Sequence, residues 1–137
     1  MATTAQFTAQ PTIDITQIST ANTNRDGTGT IATIATGPAT AAAAGVGERI
    51  NRVTIQATGS TTQGVIRFYI SIDSGTTNRL ILEKLVPLIT PSTSVSAFRM
   101  EVGELSGLIL TGGGSCVLRA STNNAETFNI LVESGLL

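Results

Sequence analysis

The sequence predicts an all-β protein, an antiparallel β-sandwich of about nine short strands. Hydrophobic residues recur at every second position through most of the 137 residues, which is the period of a strand. Clusters of Gly, Asn, Asp, Ser and Pro separate these alternating segments at short intervals. The chain also contains 23 Thr, a β-branched residue that suits a half-buried pleated surface. Because no segment shows a convincing amphipathic helix, these observations favour two packed sheets.

The alternating segments define the predicted strands. In the segment 64–73, four apolar residues share one face, while Arg67 and Tyr69 lie on the other. Ile50 is out of phase with the apolar residues that follow it, which indicates a β-bulge or a strand that begins near Arg52. An Ala-rich stretch within 37–47 is interrupted by glycines and is interpreted as a mobile loop. The other predicted strands are 12–19, 29–36, 49–58, 78–87, 94–102, 106–111, 115–122 and 127–134.

The stretch "RASTNNAETFNI", from Arg119 to Ile130, gathers enough polar side chains to suggest a ligand site. Adjacent Asn residues also tolerate positive φ and hydrogen-bond their own backbone, as a reversing chain requires. Alternating apolar residues flank the polar cluster on both sides. We therefore expect a turn here, in the last β-hairpin of the domain, rather than a binding site.

Composition excludes several classes of function. Charged residues make up 12% of the chain and the net charge is −1, so no long-range field attracts nucleic acid. No apolar run is long enough for a membrane helix, and the single cysteine allows no intrachain disulfide. The first residues have neither a basic start nor an apolar centre, so the expectation is a protein that is made and used without secretion.

Catalytic chemistry finds little support. The absence of His removes the commonest general base and metal ligand, and we expect neither an enzyme nor a cofactor. Cys116 lies within an apolar strand, where a buried and inert thiol is the favoured interpretation. Glu101 and Glu104 lie close in sequence, but strand geometry does not force them together as a pair of catalytic carboxylates.

Two short motifs resemble ligand loops. "NTNRDGTG" matches the front half of a calcium loop, but Thr33 stands where the bidentate Glu is needed, and Asp-Gly is a strong turn signal. "GTGTIA", residues 27–32, opens a strand rather than a helix, so it offers no helix N-terminus to a phosphate. We expect turns at both and no metal site.

Arginine dominates the basic residues, with seven Arg against one Lys. The planar guanidinium forms paired hydrogen bonds with carboxylates and stacks on flat groups, which suits protein interfaces. The arginines are spread along the chain, so solvated strand faces are the alternative interpretation.

Several phrases together resemble a known family. These are the polar Ala/Thr/Gln arm at the N-terminus, "ANTNRDGTGTIATIATG", "RINRVTIQATGSTTQGVIRFYIS" and "LRASTNNAETFNILVESG". The segment from Ile13 to Gly135 is similar to the jelly-roll capsid cement, or decoration, proteins of tailed bacteriophages. The resemblance rests on pattern and phrasing rather than on a catalytic signature.

The resemblance implies an extended arm, residues 1–12, and a single jelly-roll-like β-sandwich domain, residues 13–137, with eight to nine strands. It implies a structural virion protein that is made in the host cytoplasm, self-associates as a dimer or trimer, and binds major capsid protein on the outer capsid surface. The alternative is a phage tail-tip or fibre module that recognises a host receptor or glycan. No nucleic acid or membrane partner is expected. The candidate capsid or oligomer contacts are Phe7, Gln10, Pro11, Arg25, Arg49, Arg52, Arg67 and Arg99.

Overall fold

Two antiparallel sheets packed face to face form the protein. The structure is a computed structural model that describes residues 10–39 and 47–137. Apart from one 3-10 turn at Gly103–Leu105, its regular elements are strands. The strands are β1 (Gln10–Ile18), β2 (Ala32–Thr36), β3 (Glu48–Ala57), β4 (Gly64–Ser71), β5 (Arg79–Val86), β6 (Arg99–Glu101), β7 (Ile109–Leu110), β8 (Val117–Thr122) and β9 (Phe128–Leu136).

The strand order is that of a jelly roll. Sheet I has the order β1-β9-β3-β6, and β7 also pairs with β3. Sheet II has the order β2-β8-β4-β5. The chain crosses repeatedly from one sheet to the other, and among the described strands only β4–β5 forms a hairpin. The predicted jelly-roll-like sandwich is therefore confirmed.

The core lies between the inner faces of the two sheets. Phe68 of sheet II and Phe128 of sheet I are each at most 1% exposed. The ring of Phe98 meets that of Phe128 edge to face, with ring centres 6.4 Å apart. The inner residues of β9 and β3 alternate with outward residues, as the period-two pattern predicts. Cys116 is buried at the core boundary, as expected.

The bulge predicted near Ile50 is present. The register of β3 against β9 shifts between Ile50 and Arg52, while β3 itself begins earlier, at Glu48. The shift lets Ile50 and Val53 both point into the core, where each is fully buried. The phase of the apolar residues was therefore a correct guide to this irregularity.

The predicted last hairpin is wrong, although the turn is correct. β8 belongs to sheet II and β9 to sheet I, so residues 123–127 carry the chain across the sandwich. β9 pairs instead with β1 and β3, where its apolar alternation faces the core. The domain also starts earlier than predicted, because Gln10 already pairs with Leu136. The rest of the arm, residues 1–9, and most of the predicted loop, residues 40–46, lie outside the described residues.

Candidate functional site

The outer face of sheet II is covered by the chain between β1 and β2. We call residues 19–31 the strap. The hydroxyl of Tyr69, on the outer side of β4, donates to the carbonyl oxygen of Asn24 at 2.9 Å. Beside it, Arg67 donates from Nη1 to the carbonyl oxygen of Asn22 at 3.0 Å. Because Tyr69 is 0% and Arg67 is 2% exposed, the strap closes the part of this face over β4, whereas Leu85 and Ile81 on β5 remain 60% and 44% exposed.

A charged cluster fastens the strap to β5. Glu83 accepts hydrogen bonds from Arg25 of the strap, and its carboxylate also lies 3.4 Å from Nε of Arg67. The hydrogen bond from Arg25 is the main cause that lowers the pKa of Glu83 below its usual value, and the charges of both arginines add to it. The predicted contacts Arg25 and Arg67 are thus both engaged within the chain.

Arg119, the first residue of the polar stretch 119–130, also holds the strap in place. Its guanidinium donates to the carbonyl oxygen of Ile31 at 2.6 Å and to Oδ1 of Asn78 at 3.1 Å. Further hydrogen bonds reach Oγ1 of Thr33 and the carbonyl oxygen of Gly75. Arg119 therefore joins the strap to the β4–β5 turn and is not presented to a ligand.

The polar residues that follow Arg119 make contacts between turns. Asn124 donates to the hydroxyl of Thr62 at 3.0 Å and to the carbonyl oxygen of Gln63 at 3.2 Å. Glu126 accepts the backbone N–H of Thr62 at 2.7 Å. These bonds lock the 123–127 crossover against the loop between β3 and β4. The polar side chains that suggested a ligand site therefore make hydrogen bonds within the fold.

The residues that resembled a calcium loop are also used internally. Asp26 accepts both the backbone N–H and the hydroxyl of Thr28, and these bonds lower its pKa. The amide of Asn22 donates to the carbonyl oxygens of Thr28 and Thr30 at 3.0 Å. The segment is thus a turn stabilised by its own side chains. Within residues 10–39 and 47–137, no three metal-ligating side chains cluster.

The two carboxylates considered for catalysis diverge. Glu101 lies on the outer side of β6, 3.5 Å from Nε of Arg52. Glu104 accepts a hydrogen bond from Nζ of Lys84 at 2.7 Å, which lowers its pKa. Each carboxylate is thus paired with a different cation, and the two are not brought together as a catalytic pair.

The outer face of sheet I is different, because its side chains are presented to solvent. We call it the open face, and its members are defined by register and by alternation with the buried core positions. Thr54 is buried among its neighbours, whereas the others are exposed or half exposed. The open face comprises Pro11, Ile13, Ile15, Gln17, Arg49, Arg52, Thr54, Gln56, Arg99, Glu101, Ile109, Asn129, Leu131 and Glu133.

Four of the predicted contact residues meet on the open face: Pro11, Arg49, Arg52 and Arg99. Arg52 lies between two carboxylates, 3.5 Å from Glu101 and 3.6 Å from Glu133. Its side chain is 50% exposed, and ion pairs of this kind contribute at most about 1 kcal/mol in water. They can therefore be exchanged for pairs with another protein at little cost.

The other predicted contacts lie elsewhere. Gln10 starts β1 with an exposed side chain, but it alternates to the opposite side from Pro11. Arg25 is on the strap, and Arg67 lies beneath it. Phe7 falls outside the described residues.

Sequence reasoning missed the apolar part of the open face. Ile13 and Ile15 are each 68% exposed, and Ile109 on the same face is 48% exposed. The alternate residues Thr12, Asp14 and Thr16 lie on the other side of β1 and, with Ile15, line a polar cleft of about 320 Å³ between β1 and β2. Alternation alone does not tell which side of β1 meets the core, so no local signal identified these isoleucines.

No helix in the described part of the chain has the length and hydropathy to cross a membrane. No protein-family model matches the sequence, and comparison with curated proteins found no significant match.

Proposed function

We propose that this protein is a structural virion protein of a tailed bacteriophage, which binds the outside of the capsid and stabilises contacts between major capsid protein subunits. The observation that carries the proposal is the difference in solvent exposure between the outer faces of the two sheets. The strap covers the β4 part of sheet II and leaves only its β5 edge exposed, whereas the open face of sheet I presents arginines and isoleucines together. A rigid block with one broad exposed sheet face suits attachment to a larger surface.

The composition of the open face supports protein contact. Arginine is enriched at the centres of protein interfaces, and apolar side chains supply the area that is removed from water. Ile13, Ile15 and Ile109 provide exposed apolar area, and Arg52 and Arg99 provide planar donors for carboxylates or carbonyl groups. A standard interface buries about 1,600 Å² in total, which a four-stranded face can supply in part and neighbouring loops can extend.

The proposed mechanism is mechanical. A copy that touches two capsid subunits links them, and no chemical step is involved. An assembly with two or more such faces gains further avidity through effective concentration. The protein then raises the heat or pressure that is needed to break the shell.

The test is addition of the purified protein to capsids that lack it. Wild-type protein is expected to cosediment with the shells and to raise their temperature of disruption. Arg99→Glu, on the open face, should weaken cosedimentation, whereas Arg79→Glu, on the exposed edge strand of sheet II, should not. Thermal unfolding of both variants in solution controls for folding.

Three results would contradict the proposal. One is that shells bind none of the wild-type protein. Another is that shells without it are equally robust. The third is that the isolated protein binds host cells or glycans and ignores the shell, which would favour the tail-tip or fibre module.

A further inference from the structure

The strand β1 has a free edge that differs from the other sheet edges in the described chain. All nine of its residues pair one to one with β9, without a bulge, and no described strand pairs with its other side. The opposite edge of sheet I is made of three-residue β6 and two-residue β7. In sheet II, β2 contains a register shift, and so does the pairing of β5. Short and bulged edges resist further pairing, whereas a long regular edge is a template for another strand.

The hydrogen bonds of β3 determine which backbone groups of β1 are free. The N–H of Ala57 donates to Phe98, and the carbonyl of Val53 accepts from Val102, both at 2.8 Å, so odd-numbered residues of β3 here face β6. Successive residues alternate in direction, so even-numbered residues face β9. From Arg52 onward, the even-numbered residues of β3 pair with odd-numbered residues of β9, so the even-numbered residues of β9 face β1. These pair with even-numbered residues of β1, which leaves the odd-numbered residues of β1 facing away from β9. The N–H and C=O groups at the free edge are therefore those of Ile13, Ile15 and Gln17.

Pro11 agrees with this assignment. It belongs to the same odd-numbered set, so its nitrogen, which has no proton to donate, faces the free edge and costs no bond to β9. Gln10 to Ile15 are exposed, so the edge is open to a partner strand. It carries no Lys or Arg; Pro11 and Asp14 are the residues on it that discourage pairing, and they restrict the registers that are available.

We infer that two copies of this chain pair through β1, antiparallel and related by a two-fold axis, so that sheet I becomes continuous across the dimer. The occupant is a second copy because the edge is complementary to itself when the pair is centred on Ile15. With Ile15 opposite Ile15 of the second copy, Ile13 meets Gln17, and all of these residues direct N–H and C=O groups at each other.

The two registers shifted toward the N-terminus are poorer. Centring the pair on Asp14 places two carboxylates opposite each other, which is destabilising. Centring it on Ile13 places Pro11, which lacks an N–H, opposite Ile15 and loses hydrogen bonds. In the Ile15 register, Asp14 lies opposite Thr16, whose hydroxyl is a donor for the carboxylate.

The dimer has a consequence for the open faces. A two-fold axis perpendicular to a continuous sheet places both outer faces on the same side. Two copies of Arg52 and Arg99 would then point in one direction. The inference does not depend on the capsid proposal, because it is tested with the protein alone in solution.

Sedimentation equilibrium of the full chain tests the inference. The wild type is expected to reach twice its 14.1 kDa mass as concentration rises. Ile15→Lys places two ammonium groups opposite each other and should raise the dimer dissociation constant by about tenfold or more. Ile109→Lys is the matched control, because it adds the same charge to the open face away from the edge, and it should leave the constant unchanged.

Disulfide formation tests the register. Directly opposite residues of a hydrogen-bonded pair are about 5.5 Å apart between Cα atoms, within reach of a disulfide. Ile15→Cys should therefore cross-link two copies on oxidation, whereas Ile13→Cys, which faces Gln17, should not. The native Cys116 is 7% exposed, so it does not compete.

Several outcomes would overturn the inference. These are a monomeric wild type at every concentration, a trimer, a dimer indifferent to Ile15→Lys, and a cross-link from Ile13→Cys in place of Ile15→Cys. The inference would be supported if Ile15→Cys cross-links and Ile15→Lys raises the dimer dissociation constant.

Discussion

Arg67 lies beneath the strap and donates from Nη1 to the carbonyl oxygen of Asn22 at 3.0 Å. Its Nη2 donates to Oδ1 of Asn123 at 3.3 Å, and its Nε lies 3.4 Å from Glu83. One buried cation thus connects the strap, the β8–β9 crossover and β5. Since water reaches only 2% of this residue, its charge depends on these partners.

Arg67→Ala should therefore be strongly destabilising. The substitution leaves a cavity and an unpaired carbonyl oxygen at Asn22, and an unsatisfied buried acceptor alone costs about 1 to 3 kcal/mol. Urea unfolding followed by circular dichroism measures the loss. Arg79→Ala removes an exposed arginine and should change the free energy of unfolding by less than about 0.5 kcal/mol. Equal effects of the two variants would contradict the role assigned to Arg67.

Gly27→Ala should detach the strap from the β4–β5 turn. Gly27 has φ +86°, and a Cβ added there would lie 2.2 Å from the carbonyl oxygen of Asn78, so both backbone strain and a backbone clash follow. We expect a loss of at least about 2 kcal/mol in the free energy of unfolding. Gly59→Ala is the control, because a Cβ at Gly59 meets nothing within 4 Å. A tolerated Gly27→Ala would show that the strap is not held at this point.

The pH dependence of stability should contain a contribution from Glu83. The hydrogen bond from Arg25 holds the pKa of Glu83 below its usual 4.5 in the folded state. A lowered native pKa stabilises the fold above the unfolded value and is lost as pH falls through the native one. Stability of the wild type should therefore decline as pH drops from about 5 toward 3. Thermal unfolding across this window should show a flatter profile for Glu83→Gln and for Arg25→Gln, and unchanged slopes would count against the pair.

Arg119→Lys should not be a conservative change. The guanidinium makes four hydrogen bonds to Ile31, Thr33, Gly75 and Asn78, and an ammonium group on a flexible stem does not reproduce that fork. A loss of about 1 to 3 kcal/mol is expected, together with faster amide hydrogen exchange in residues 22–31. If exchange in the strap stays slow while stability falls, Arg119 does not hold the strap.

Local features of the sequence predicted much of the fold. The phase of Ile50 indicated the bulge in β3, and the alternation in 64–73 placed Phe68 inside and Arg67 outside the sandwich. Those features are determined by neighbouring residues within one strand. The strand with which β9 pairs is not determined locally, because the alternation of β9 fits equally a hairpin with β8 and a place between β1 and β3.

The candidate site was less predictable for the same reason. Arg67 and Arg52 are both outward-facing arginines on strands, yet one is buried under the strap and the other is exposed. They differ because the strap, which is distant in sequence from both, covers Arg67 and leaves Arg52 exposed. Likewise, the pattern of Ile13 and Ile15 is the same whether the isoleucines face the core or the solvent.

The position of β9 sets the order in which the molecule can assemble. Residues 128–136 leave the ribosome after the other eight strands, yet they lie between β1 and β3. Sheet I therefore has no continuous hydrogen-bonded ladder until this segment arrives, and within the described part of the chain β1 has no other strand to pair with. Folding must join residues as far apart as Gln10 and Leu136, a long-range closure that slows the reaction. Nascent chains stalled before residue 128 should accordingly remain sensitive to protease, and become resistant only after β9 has emerged.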